Sequence, residues 1–111
     1  MKTLKDVAEL IFKEGKQKGL ELKSFDIEDE DPSFPLIRLN TSDSWFDEFD
    51  NEDEEAERKA IAILKEIVSK IDLNKITDSY EERTIDYKVV SIQYDGSFTG
   101  YEEYDIYFEE K

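Results

Sequence analysis

The sequence predicts an α+β two-layer sandwich, with a mostly antiparallel four-stranded sheet and two helices on one face, in the order α-β-β-α-β-β. Three observations point to it: apolar side chains recur at helical spacing in two separate stretches, each stretch is followed by two segments of strand-like alternation, and strong turn chemistry joins the last two. Each helix then has one apolar stripe, and each strand pair one apolar side, to bury against the other layer. At 111 residues the chain is expected to form one domain spanning residues 1–111.

Thr3 with Asp6 three residues on forms a capping signature, and Leu4, Val7, Ala8, Leu10 and Ile11 follow at helical spacing. The first helix should run over residues 4–18, with Gly19 as its left-handed stop. Gly15 inside it costs about 1 kcal/mol relative to alanine. Leu20 and Leu22 alternate with charged residues, and Phe25 and Ile27 repeat the alternation out of phase, which reads as a strand with a bulge near Ser24. Residues 34–40 read as a second short strand, with Pro35 placed at its start because proline cannot donate to a ladder.

The second helix has Asn51 or Asp53 as its cap, acids at its positive end, and an apolar face of Ala56, Ala60, Ile61, Ile63, Leu64, Ile67, Val68 and Ile71. From Lys75 onward the period shifts toward two. Residues 83–94 and 101–109 then read as strands joined by a turn over 95–100. In this register Tyr87, Tyr101 and Tyr107 face away from the helices.

Charge is the dominant compositional feature. Thirty acids against fifteen bases give a net −15 with no histidine. A domain that needs only solubility manages with a magnitude of about 2–8. Fourteen of the acids, against Arg38 alone, lie within residues 26–57, and ten more, against two bases, within 78–110. Leu, Ile, Val and Phe still total 30 residues, or 27%, above the roughly 20% below which a highly charged chain fails to fold.

This composition excludes several functions. An anionic surface repels nucleic acid and acidic membranes, so neither is expected as a direct ligand. With neither cysteine nor histidine, disulfides, thiolate zinc sites and cysteine or histidine catalysis are absent. No residue is nominated as catalytic and no cofactor is expected. The acidic runs fail the calcium-loop pattern: counting from Asp47 the sixth residue is Glu52, and from Asp29 it is Phe34, where glycine is needed, so no metal ligand is nominated. The longest apolar run is residues 60–64 and the N-terminus is charged, so a soluble cytoplasmic protein is expected.

The candidate contact element lies in residues 41–55. Trp45, Phe46 and Phe49 are large aromatics that can anchor in a partner's pocket, and Asp43, Asp47, Glu48, Asp50, Glu52, Asp53, Glu54 and Glu55 can meet Arg and Lys around them. For the aromatics, folding back over the second helix is the competing arrangement. Carboxylates two apart on a strand stand about 6.7 Å apart on one face, so a sheet can also array negative charge in a line, as a phosphate backbone does.

In size, charge and block structure the chain resembles the small acidic proteins that phages use against CRISPR or restriction nucleases, although no specific motif is shared. The resemblance implies a non-enzymatic inhibitor of a nuclease or other basic nucleic-acid-binding protein. An immunity protein that neutralises a nuclease toxin, and an adaptor domain whose charge serves solubility alone, are the alternatives.

Overall fold

A computed structural model describes residues 2–41, 54–78, 82–96 and 102–111. It contains helices α1 (Leu4–Gln17) and α2 (Glu54–Ser69) and strands β1 (Ser24–Glu28), β2 (Leu36–Asn40), β3 (Ile76–Asp78), β4 (Arg83–Ile85), β5 (Tyr87–Gly96) and β6 (Glu102–Glu110). The main sheet has the order β1-β2-β6-β5 with every pair antiparallel, and β3-β4 form a separate two-stranded ribbon. The α+β architecture matches the sequence expectation. The ribbon is additional.

Local chemistry sets both ends of α1. The Thr3 hydroxyl accepts from the Asp6 amide at 3.2 Å while the Asp6 carboxylate accepts from the Thr3 amide at 2.9 Å. These bonds satisfy two donors that a helix start otherwise leaves open, and the one from the Thr3 amide to the carboxylate holds the Asp6 carboxyl below its ordinary pKa. At the other end Gly19 has φ 98°, the Leu20 amide donates to the Gly15 carbonyl at 2.9 Å and the Gly19 amide to that of Lys16 at 3.1 Å, a Schellman ending. Gly15 has its own reason to be glycine. A Cβ there would lie 2.8 Å from Leu22 Cδ1 as the chain doubles back.

That return accounts for a correction. Leu20 and Leu22 belong to the helix exit, with Leu22 buried, and β1 begins only at Ser24. The change of phase near Ser24 marks the junction of exit and strand, not a bulge inside one strand. Leu10, expected on the apolar face, is exposed.

Two apolar rows cross the helix-facing side of the sheet. Ile27, Ile37, Ile106 and Ile92 are in register, as are Phe25, Leu39, Tyr104 and Tyr94. Val7, Ala8 and Ile11 of α1 and Ala60, Leu64, Ile67 and Val68 of α2 belong to the same core. Each fully buried aliphatic side chain contributes about 1.5–3 kcal/mol. The rows are therefore the main source of stability.

The expected single strand over residues 83–94 is broken at Asp86. Its carboxylate accepts from the Lys75 amide at 2.8 Å and its carbonyl from the Lys111 amide at 2.9 Å, which diverts β4 to pair with β3. A register shift between Val89 and Ser91 leaves Val90 unpaired and exposed. With that extra residue, Tyr87 and Val89 share the core side with Ile92 and Tyr94. Tyr87 is only 2% exposed and packs edge-on against Phe108, contrary to its expected outward position. Tyr107 is exposed as expected, and Tyr101 lies outside the described residues.

A candidate acidic interface on the open sheet face

The face of the main sheet away from the helices follows from the same registers. One row reads Glu28, Leu36, Tyr107, Ser91, the next Asp26, Arg38, Asp105, Gln93, and the third Ser24, Asn40, Glu103, Asp95. Alternation puts every second residue of each strand here, so Asp26 with Glu28 and Glu103 with Asp105 become same-face pairs about 6.7 Å apart. Five carboxylates surround Arg38, the only base in these rows.

Arg38 is held by three of them. Its Nε lies 2.6 Å from Glu103 Oε2 and 3.5 Å from Asp105 Oδ1, and its Nη1 3.0 Å from Glu28 Oε1. Partial burial disfavours its charge, but the bonds and charges of Glu103 and then Glu28 outweigh this and raise the guanidinium pKa. Asn40 Nδ2 donates to Ser24 Oγ at 3.1 Å and to Asp26 Oδ2 at 3.0 Å, tying down the far row. These contacts hold Asp26, Glu28, Glu103 and Asp105 in fixed positions.

Asp105 is the unusual member, a carboxyl only 5% exposed with Oδ1 lacking a hydrogen-bond partner. Burial pushes its pKa up to about 7, the hydrogen bond and charge of Glu103 push the same way, and Arg38 opposes them. Burial is the leading cause and crowding adds to it: the single guanidinium of Arg38 opposes the charges of Glu103 and Asp95, so the Asp105 carboxyl holds its proton well above the ordinary carboxylate range. Burial raises the Tyr107 phenol as well, with Asp105, Asp95 and Glu103 adding to the shift.

Oxygens of Asp95, Glu103 and Asp105 lie within 4.8 Å of one another, a donor set of the hard-oxygen type that suits a divalent cation. Arg38 already competes for two of the three. The geometry can therefore present anions to a cation from outside, but part of the charge is internally answered.

Asp43, Trp45, Phe46, Asp47, Glu48, Phe49, Asp50, Glu52 and Asp53 lie outside the described residues, as do the expected caps of α2. Glu54 opens α2, and Glu55 is exposed and 3.6 Å from Lys59. Asp26, Glu28, Asp95, Glu103 and Asp105 are not among the residues the sequence nominates, and Arg38 stands out there only as the one base of an acidic block. The signal for the acids of β1 and β6 is their i,i+2 spacing within Ser-Phe-Asp-Ile-Glu and Glu-Glu-Tyr-Asp-Ile. No family model, curated protein or solved structure matches the chain.

Proposed function

We propose that the protein is a non-enzymatic acidic inhibitor that binds a basic nucleic-acid-binding protein, most simply a nuclease, and covers its nucleic-acid-binding surface by charge mimicry. The observation that carries this reading is the open sheet face, where Asp26, Glu28, Asp95 and Glu103 stand in three registered rows around one arginine, with Asp105 buried among them. Strands lie about 4.8 Å apart and same-face residues about 6.7 Å apart, so the anions form a fixed two-dimensional array. A surface evolved to grip phosphates can engage such an array with the same Arg and Lys side chains. The net −15 adds a long-range field that steers a basic partner faster than the unsteered rate of about 10⁵–10⁶ M⁻¹s⁻¹.

Prefixed anions matter because binding then costs little side-chain ordering. Glu103 and Glu28 are already held by Arg38, and Asp26 by Asn40.

The test is competition. The protein is immobilised, basic proteins retained from a lysate are purified, and each is titrated with duplex DNA or RNA. The reading expects nucleic acid and this protein to exclude one another from the same target. A ternary complex, with nucleic acid still bound, would contradict it and would fit an immunity protein that binds a toxin away from its nucleic-acid site. Retention of no basic protein would leave the charge serving solubility.

A further inference from the structure

At the end of the open face a second kind of site adjoins the acidic rows. A cavity of about 440 Å³ is lined by Phe34, Tyr107 and Leu36 together with Glu28, Glu30 and Asp31. Phe34 is 61% exposed and Tyr107 is exposed beside it, while Leu36 is buried and sits opposite Tyr107 in the β2-β6 register. An exposed phenylalanine on a loose loop would mean little, but this loop is pinned at every residue from 31 to 35. The Asp31 carboxylate accepts from the Ser33 amide at 3.0 Å and the Asp31 carbonyl from the Phe34 amide at 3.0 Å. The Tyr87 hydroxyl donates to the Pro32 carbonyl at 2.6 Å, and the Ser33 and Pro35 carbonyls accept from the Glu110 and Phe108 amides at 2.9 and 3.0 Å. Ser33 Oγ also donates to Glu110 at 3.2 Å. Phe34 is thus held in water by a fixed frame.

We infer that this cavity receives an arginine side chain of the protein partner, its guanidinium against the Phe34 and Tyr107 rings and its N–H groups directed to Glu28, Glu30 or Asp31. Charge complementarity selects the occupant: three carboxylates rim the cavity, and aromatic faces attract cations, planar guanidinium above all. The neighbouring row shows the chemistry in miniature, since Arg38 lies on the same face with Nη1 3.0 Å from Glu28. The inference rests on the reading of the protein as a binder of basic proteins and names the anchor that this binding would use.

The probe is acetyl-Gly-Arg-Gly-amide, titrated into the full chain at low salt and followed by the ring resonances of Phe34 and Tyr107, beside the same peptide with neutral citrulline for arginine. The arginine peptide should perturb both rings and bind at least about fivefold more tightly than citrulline, because charge-assisted bonds are lost with the charge. Phe34→Leu keeps apolar bulk without a π face and should weaken the arginine peptide about two- to fivefold, with its amide spectrum otherwise unchanged. Equal affinity for citrulline, shifts that bypass both rings, or no effect of Phe34→Leu would overturn the assignment. The two ideas fail separately. Peptide binding without exclusion of nucleic acid from any partner would end the inhibitor reading alone, and exclusion without peptide binding would end the arginine cavity alone.

Discussion

Replacing Asp105 by asparagine probes the crowded carboxyls directly, because it removes one titrating group and leaves nearly the same shape. Folding carries this carboxyl from water to a position 5% exposed, beside Glu103 and Asp95, and lifts its pKa from 3.8 to about 7. The folded state therefore binds the proton more tightly than the unfolded chain. The sign follows: this stabilisation is fully present below about pH 4 and is lost as pH rises through about 7. Each tenfold displacement is worth about 1.4 kcal/mol, so the whole effect has a ceiling of about 4 kcal/mol.

The sequence pI near 4.3 makes the lowest pH range prone to precipitation, so the useful window is pH 5 to 8. Within it the stability difference between Asp105→Asn and the parent should move in favour of the variant by about 2–3 kcal/mol as pH rises. Urea unfolding followed by circular dichroism at constant ionic strength reads this, and titrations common to both proteins cancel in the difference. A difference that stays flat with pH, or moves toward the parent, would refute the raised pKa of the Asp105 carboxyl.

Removing Arg38 as alanine should cost about 1–3 kcal/mol at neutral pH, because Glu103 and Asp105 are left facing each other, and Asp105→Asn in the same chain should recover part of it in a double-mutant cycle. Tyr87→Phe removes the partly buried bond to the Pro32 carbonyl and should lower stability by about 0.5–1.5 kcal/mol in the same urea assay. Thr3→Ala should lose about 1 kcal/mol with the capping box, read as faster amide exchange in the first turn of α1 and a lower unfolding midpoint.

What could be read from the sequence was whatever neighbouring residues decide. Thr3, Asp6 and Gly19 bound α1 through contacts within one turn, and Pro35 sits just ahead of β2, as its missing donor requires. The β3-β4 ribbon was invisible because three-residue strands carry too little pattern, and because the break that creates it depends on Asp86 bonding to Lys75 and Lys111, 11 and 25 positions away. Simple alternation misplaces Tyr87 for a related reason: one unpaired residue, Val90, changes which side of the sheet the preceding half of β5 faces. The acidic face needed the pairing of β2 with β6, strands more than sixty residues apart, before Arg38 could be seen among Asp105 and Glu103. Charge blocks show how much anion a chain carries. Pairing decides where it is displayed.

The most direct test of the inhibitor reading is the salt dependence of binding to a purified basic partner, measured for the parent and for a variant carrying Asp26→Asn, Glu28→Gln and Asp95→Asn, with duplex DNA as competitor. The reading predicts that DNA displaces the parent, that its association slows steeply with salt, and that the three amides weaken binding by about 1–3 kcal/mol and flatten the salt response. Unchanged affinity and salt response in the variant, with DNA and protein bound to the partner together, would contradict it.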